Sequence, residues 1–160
     1  MLRMSEAPLI FLVAGEASGD FLGARLMQAL KKQTDGKVRF AGIGGKRMIA
    51  EGLDSLFPQE DLSHMGIFEV LRHLPLILRR MRQTVAAVKE CQPGAVITID
   101  SPDFSFRVAK KLKSLNVPLI HYVAPSVWAW REGRAQKMAQ FLTHVLALLP
   151  FEPPYFTKVG

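Results

Sequence analysis

Residues 8–15, Pro8-Leu9-Ile10-Phe11-Leu12-Val13-Ala14-Gly15, form a short unbroken apolar run that stops on a glycine. A run of this length without polar alternation reads as a strand buried on both faces, the signature of a parallel sheet covered by helices. Helical spacing follows at once. Leu22, Leu26, Ala29 and Leu30 recur as one stripe, with Arg25, Lys31 and Lys32 around it, and Gly36 ends the segment. A strand, a glycine turn and a helix make the first half of a right-handed crossover unit.

The same alternation repeats outward from that start. Val38–Ile43 reads as a second strand, closed by Gly44 and Gly45, and Lys46–Glu51 as a short helix stopped by Gly52. Leu53–Phe57 is a candidate short strand before Pro58. Gly66–Glu90 is a long helical stretch, which Pro75 either kinks or splits in two. Ala95–Ile99, Pro118–Val123 and Thr143–Leu149 read as strands, and Phe104–Leu115 and Glu132–Phe141 as helices. The expected fold is a doubly wound, mostly parallel α/β sheet in a single domain over 1–160. The end at Gly160, soon after a strand and with no closing helix, predicts that the chain is part of a longer protein.

Composition narrows the function. The 160 residues suffice for one buried core, and 22% charged residues is ordinary for a globular chain. No apolar run approaches the ~20 residues that span a bilayer, and the start lacks a signal-peptide core, so a cytosolic protein is expected. Cys91 is the sole cysteine, which excludes an internal disulfide. His64, His73, His121 and His144 are scattered, with no cluster of metal-ligand spacing, so neither a metal nor a cofactor is expected. The net charge of +7 asks for an anionic partner. Between Val70 and Val88 lie Arg72, Arg79, Arg80 and Arg82 and no acid.

In an open α/β sheet, ligands meet the loops at the carboxyl ends of the strands. Four such loops carry unusual residues. The first is Gly15-Glu16-Ala17-Ser18-Gly19-Asp20, a tight turn into a helix whose free N–H groups favour anions. Ser18 or Asp20 could equally cap that helix. Glu16 adds nothing obvious to a core. The spacing is neither that of the dinucleotide fingerprint nor that of a phosphate loop. The second is Gly42-Ile43-Gly44-Gly45, a tight turn that turn chemistry alone can explain. In the third, Asp100-Ser101-Pro102-Asp103, Ser101 reads as an N-cap with Pro102 at the first helical position, and Asp103 suits the helix dipole. That leaves Asp100 over, at a strand end, where a carboxylate can accept a proton from a substrate hydroxyl. The fourth, His121–Arg131, holds both tryptophans, Trp128 and Trp130, and ends on Arg131. Such a loop packs or binds. His121 itself reads as a strand histidine with its hydrogen bonds satisfied.

These segments, with GIGGKRM at 42–48, MGIFEVL at 65–71 and LLPFE at 148–152, resemble in order and spacing the amino-terminal half of lipid-A-disaccharide synthases. The most specific pieces are the Trp-Ala-Trp-Arg loop and GEASGD. Ala124 departs from the family's more usual small polar residue or Cys. The resemblance implies a two-domain, Rossmann-like glycosyltransferase, of which 1–160 is the acceptor-side domain and the nucleotide-sugar domain is absent, so the chain alone is expected to be inactive. It implies an inverting, metal-free transfer from UDP-2,3-diacylglucosamine to 2,3-diacylglucosamine 1-phosphate, with Asp100 as general base. Gly15, Glu16, Ser18, Gly19, Asp20, Gly44, Gly45, Trp128 and Arg131 are then substrate-binding candidates. No nucleic-acid partner is expected. Both substrates carry acyl chains, so the enzyme must work at the inner face of the inner membrane without spanning it. Ile67, Phe68, Arg72, Leu76, Leu78, Arg79, Arg80 and Arg82 are the candidate contacts with an anionic membrane surface. Two other classes fit the residues: another transferase of the same two-domain fold, or a non-catalytic membrane-surface or anion-binding module.

Overall fold

The computed structural model describes residues 6–63, 67–125 and 133–160, and the side chains of 67–70 lie outside that description. Five strands form one sheet, β1 (Leu9–Ala14), β2 (Arg39–Ile43), β3 (Ala95–Ile99), β4 (Leu119–Tyr122) and β5 (His144–Leu146). Their order is β2-β1-β3-β4-β5, and every pairing is parallel. The helices are α1 (Ala17–Gln33), α2 (Lys46–Ala50), α3 (Ile67–Cys91), α4 (Pro102–Leu112), α5 (Gly133–Ala139) and α6 (Pro153–Thr157), with 3-10 turns at Gln59–Leu62 and Lys113–Leu115.

Strand alternation divides the core in two. Leu12 and Ala14 of β1 and Ile97 and Ile99 of β3 pack under α1 and α2 with Ala24, Met27 and Met48. Phe11, Val13 and Val96 face the other way, against Met81, Val85 and Val88 of α3 and Phe104, Val108 and Leu112 of α4. The apolar runs are therefore buried on both faces, as their lack of alternation implies. From β1 the chain first winds outward to β2, then returns along α3 to place β3 on the other side of β1. The crevice between the carboxyl ends of β1 and β3 is where the winding reverses, the usual place for a ligand in such sheets.

Several expectations need correction. Leu53–Phe57 is not a strand: it makes a single bridge, Ser55 to Gly42, and its apolar residues turn into the core instead, Leu53 under α2 and Phe57 beside α3. The buried stripe of α1 is Gly19, Asp20, Gly23, Ala24 and Met27, while Leu22 and Leu26 pack only partly. Small residues let α1 lie close on the sheet, and the larger leucines sit at its flanks. Pro75 does not split α3, which runs through it as one helix. It leaves the Leu71 carbonyl without its helical donor, on a turn where Leu71 is exposed. The chain does carry a short helix after β5, α6. Strand β5 is an edge of only three residues, and Leu146, Leu148 and Leu149 stand exposed beside it.

Candidate functional site

Asp100 and Ser18 meet at the reversal point. Ser18 lies in the first turn of α1, which β1 feeds through Gly15 and the extended N-cap residue Glu16. Asp100 follows the last residue of β3. The Ser18 hydroxyl donates to Asp100 Oδ2 at 2.7 Å, so the two strand ends are tied by a charge-assisted hydrogen bond. The backbone of Asp100 is fixed on both sides. Its N–H donates to the Tyr122 carbonyl at 3.0 Å, and its carbonyl accepts from the Ser105 hydroxyl at 2.9 Å. Asp100 and Ser101 both have positive φ, 54° and 42°, a conformation non-glycine residues adopt at a cost.

Ser101 is not the side-chain cap that Ser-Pro spacing suggests. It stands at the N-cap of α4 but makes no cap hydrogen bond. The left-handed backbone turns its hydroxyl inward, where it is buried without a partner among the described residues. A Cβ on Gly15 would come within 2.9 Å of that oxygen, so Gly15 is required by close approach. Asp103 falls in the first turn of α4, as expected from its position, and is exposed.

Asp20 and the turn at 42–45 read differently in three dimensions. Asp20 is buried, and its carboxylate caps α2 rather than α1. Oδ1 accepts from the backbone N–H groups of Gly45 and Met48, each at 3.0 Å, and Oδ2 from Arg47 at 3.1 Å. The Gly44 N–H donates to the Ser55 hydroxyl at 3.2 Å. The N–H groups of Gly44 and Gly45 thus each have an internal acceptor. A Cβ on Gly45 would lie 2.5 Å from Gln59 Oε1 and 2.7 Å from the Asp20 carboxylate. Gln59 ties the same layer to β1, its Nε2 donating to the carbonyls of Ala14 and Glu16 at 2.7 and 3.0 Å. Ser18 and Asp100 are therefore brought together, while Asp20, Gly44 and Gly45 are engaged in hydrogen bonds at the start of α2. Trp128 and Arg131 lie outside the described residues.

The sequence model of the family described as lipid-A-disaccharide synthetase matches residues 10–160. The chain belongs to this family. It is 60% identical over 154 residues to the lipid-A-disaccharide synthase of Rhodospirillum centenum, covering 95% of this chain and 38% of that protein. It is 52% identical to the synthase of Nitrobacter hamburgensis, covering 94% of this chain and 39% of the relative. Against the Methylobacillus flagellatus synthase the identity is 49%, with 96% and 40% covered. The chain thus spans about two fifths of the length of the curated relatives it matches.

In this member of the lipid-A-disaccharide synthase family, a second buried polar group lies one strand from Asp100. His121 on β4 is fully buried, and its Nδ1 bonds the Thr98 hydroxyl at 2.8 Å. Nε2 has no partner among the described residues. Phe106 meets the ring edge to face at 4.8 Å. Burial pushes the imidazole pKa down to about 4, with the Asp100 charge and the Val123 backbone opposing in part. His121 is thus neutral at pH 7. Among the described residues no group of three or more His, Cys, Asp or Glu could hold a metal ion.

Helix α3 of this synthase-family chain separates the candidate membrane contacts. Arg72, Arg79 and Arg82 are exposed. Arg80 is not an unneutralised cation: it pairs with Asp61 at 2.6 Å and lies 4.8 Å over the Phe57 ring. Its carboxylate partner comes from the 3-10 turn before the helix, beyond the stretch in which acids are lacking. Leu78 is half-buried against the core and lines the cleft toward α4, and Leu76 is half-buried. Leu71 and Leu74, 66% and 38% exposed, are the large apolar side chains at the surface among the described residues of this helix. The side chains of Ile67 and Phe68 lie outside the described residues. Among the described residues no helix is long and apolar enough to cross a membrane.

Proposed function

We propose that this chain is the acceptor-side domain of an inverting glycosyltransferase that joins UDP-2,3-diacylglucosamine to 2,3-diacylglucosamine 1-phosphate. The observation that carries the reading is the Ser18–Asp100 pair at the crevice between β1 and β3. Asp100 is half-buried at that crevice, and among the described residues Ser18 is the one side-chain donor to its carboxylate, which leaves lone pairs for a substrate. In the proposed step Asp100 takes the proton of the acceptor 6-hydroxyl as that oxygen attacks the anomeric carbon. UDP leaves with the bonding electrons from the opposite face, which inverts the centre. Ser18 positions the base, and the N-terminus of α1 with Glu16 faces the reacting groups. The second domain of the family would supply the other wall of the nucleotide site, because both substrates must be held together for the displacement. Helix α3 would hold this assembly at an anionic membrane surface, on the inner face of the inner membrane.

The test is a comparison of Asp100→Ala with Asp103→Ala in a complete two-domain synthase carrying this chain. Asp100→Ala should lower kcat by about 10²–10⁴-fold, the usual contribution of a general base, with folding unchanged. Asp103→Ala should leave kcat nearly intact and cost about 0.5 kcal/mol through the helix dipole. Equal rate losses in the two variants would remove Asp100 from the role.

A further inference from the structure

Helices α4 and α5 face each other across a groove of about 670 Å³. Arg107 and Lys110 enter it from α4 and Arg134 and Lys137 from α5, with Asp103 as the one acid among the described residues of the lining. Each pair stands three residues apart on its helix, where like charges repel and cost a few tenths of a kcal/mol. The two pairs also converge on a concave surface, which solvates charge less well than a convex one. The ion pairs among the described residues lie elsewhere, at Lys31–Glu51, Arg39–Glu6 and Arg80–Asp61.

Two of the groove's four cations rest on aromatic rings. Lys110 Nζ sits 5.4 Å from the centre of the Phe141 ring, and the Arg134 guanidinium 5.8 Å from that of Phe106. The two rings lock edge to face at 5.4 Å. A ring face attracts a cation through its quadrupole and takes none of its N–H donors, whereas a carboxylate would have consumed them. Lys110 and Arg134 are thereby oriented with their donors still available. The groove's lining starts on α4 at Pro102 and Asp103, two and three residues after the proposed base Asp100.

We infer that this groove binds a phosphomonoester, and that the phosphate is the one carried by the sugar acceptor. This assignment of the source rests on the function proposed above. A phosphate dianion matches an excess of three positive charges, and Arg107 and Arg134 offer planar donor forks suited to its oxygens. The volume lies within the about 300–1,000 Å³ of small-molecule sites, so it admits a phosphorylated hexose and not only the ion. Pro102 and the partly buried Phe106 supply apolar surface for the CH face of such a sugar.

The experiment is titration of the 160-residue chain with glucosamine 1-phosphate at low salt, read by calorimetry. Arg107→Ser with Arg134→Ser should weaken binding at least about tenfold, the loss expected for charge-assisted hydrogen bonds. Adding Lys110→Ser and Lys137→Ser should abolish it. Lys37→Ser with Lys89→Ser makes the same change in net charge at remote exposed positions and should alter affinity less than about twofold. Asp100→Ala should keep the binding, so failure of the catalytic assignment and failure of the groove give different results. Vesicles containing phosphatidic acid form the second arm. Binding to them that depends on the same four cations, with none to the sugar phosphate, keeps the groove and overturns the acceptor as its source. No binding of either probe, or equal losses in the groove and remote variants, overturns the groove itself.

Discussion

Asp100 and Ser101 stand side by side in the left-handed region, and the surrounding bonds hold them there. Tyr122 and Ser105 fix the backbone of Asp100, and Ser18 fixes its carboxylate. Ser18→Ala removes only the last of these. In the complete enzyme it should lower kcat about tenfold, within the range of one charge-assisted hydrogen bond, while leaving KM little changed. Ser18→Thr, which keeps the hydroxyl, should recover most of the loss. A rise in KM with unchanged kcat would make Ser18 a substrate-binding residue instead. Asp100 is legible in the sequence because Ser101, Pro102 and Asp103 all suit the start of a helix and Asp100 does not. Ser101 nevertheless caps nothing, since its hydroxyl points into the protein. Residue spacing carries no mark of a left-handed backbone, so a Ser-Pro pair looks like a cap whichever way the serine turns.

The capping of α2 belongs to the scale of elements. Its acceptor, Asp20, sits in the first turn of a different helix, 25 to 28 residues upstream of the N–H groups it satisfies. Local motifs relate a cap only to its own helix, which is why Asp20 looks in sequence like a cap for α1 or a contact for a ligand. Asp20→Ala leaves three N–H groups without their acceptor and should cost about 2–4 kcal/mol, given about 1–3 kcal/mol for each buried group left unsatisfied and partial rescue by water. Asp20→Asn should cost less, because its amide keeps one oxygen. Urea unfolding of both variants gives the comparison. Leu53–Phe57 resembles a strand for a related reason: its apolar residues face two different layers of the core, which mimics a buried strand in one dimension. Among the described residues of α3, Leu71, Leu74, Arg72, Arg79 and Arg82 are exposed. Vesicles rich in anionic lipid should bind the chain at low salt. Arg72, Arg79 and Arg82 changed together to Ser should weaken that binding, at about 1 kcal/mol for each charge near the surface. Leu71→Ser with Leu74→Ser should weaken it as well, whereas Leu78→Ser should chiefly destabilise the fold. Indifference of the unaltered chain to such vesicles would return α3 to the role of a solvated basic face.

Over the whole molecule, the alternation of apolar runs and helical stripes is enough to specify a parallel α/β sheet. The order of its strands is not legible, because nothing local marks the turn at which the winding reverses. One global property follows from the core. His121 has a folded pKa of about 4, below its ordinary 6.5, so folding favours the neutral ring. Its contribution to stability is complete above about pH 6.5 and falls away as the pH drops through 4, by roughly 3 kcal/mol in all at 1.36 kcal/mol per pKa unit. Urea midpoints measured from pH 7 to pH 4 should decline more steeply for the native chain than for His121→Gln, and parallel slopes would show that another group drives the decline. The sheet itself stops at β5, three residues long, with Leu146, Leu148 and Leu149 exposed beside it. An open edge flanked by leucines is a template for a strand from another molecule. Concentrated stocks of this chain will therefore behave as a sticky colloid, gelling or clouding well before they unfold, and Leu148→Lys is the exchange that would keep them clear.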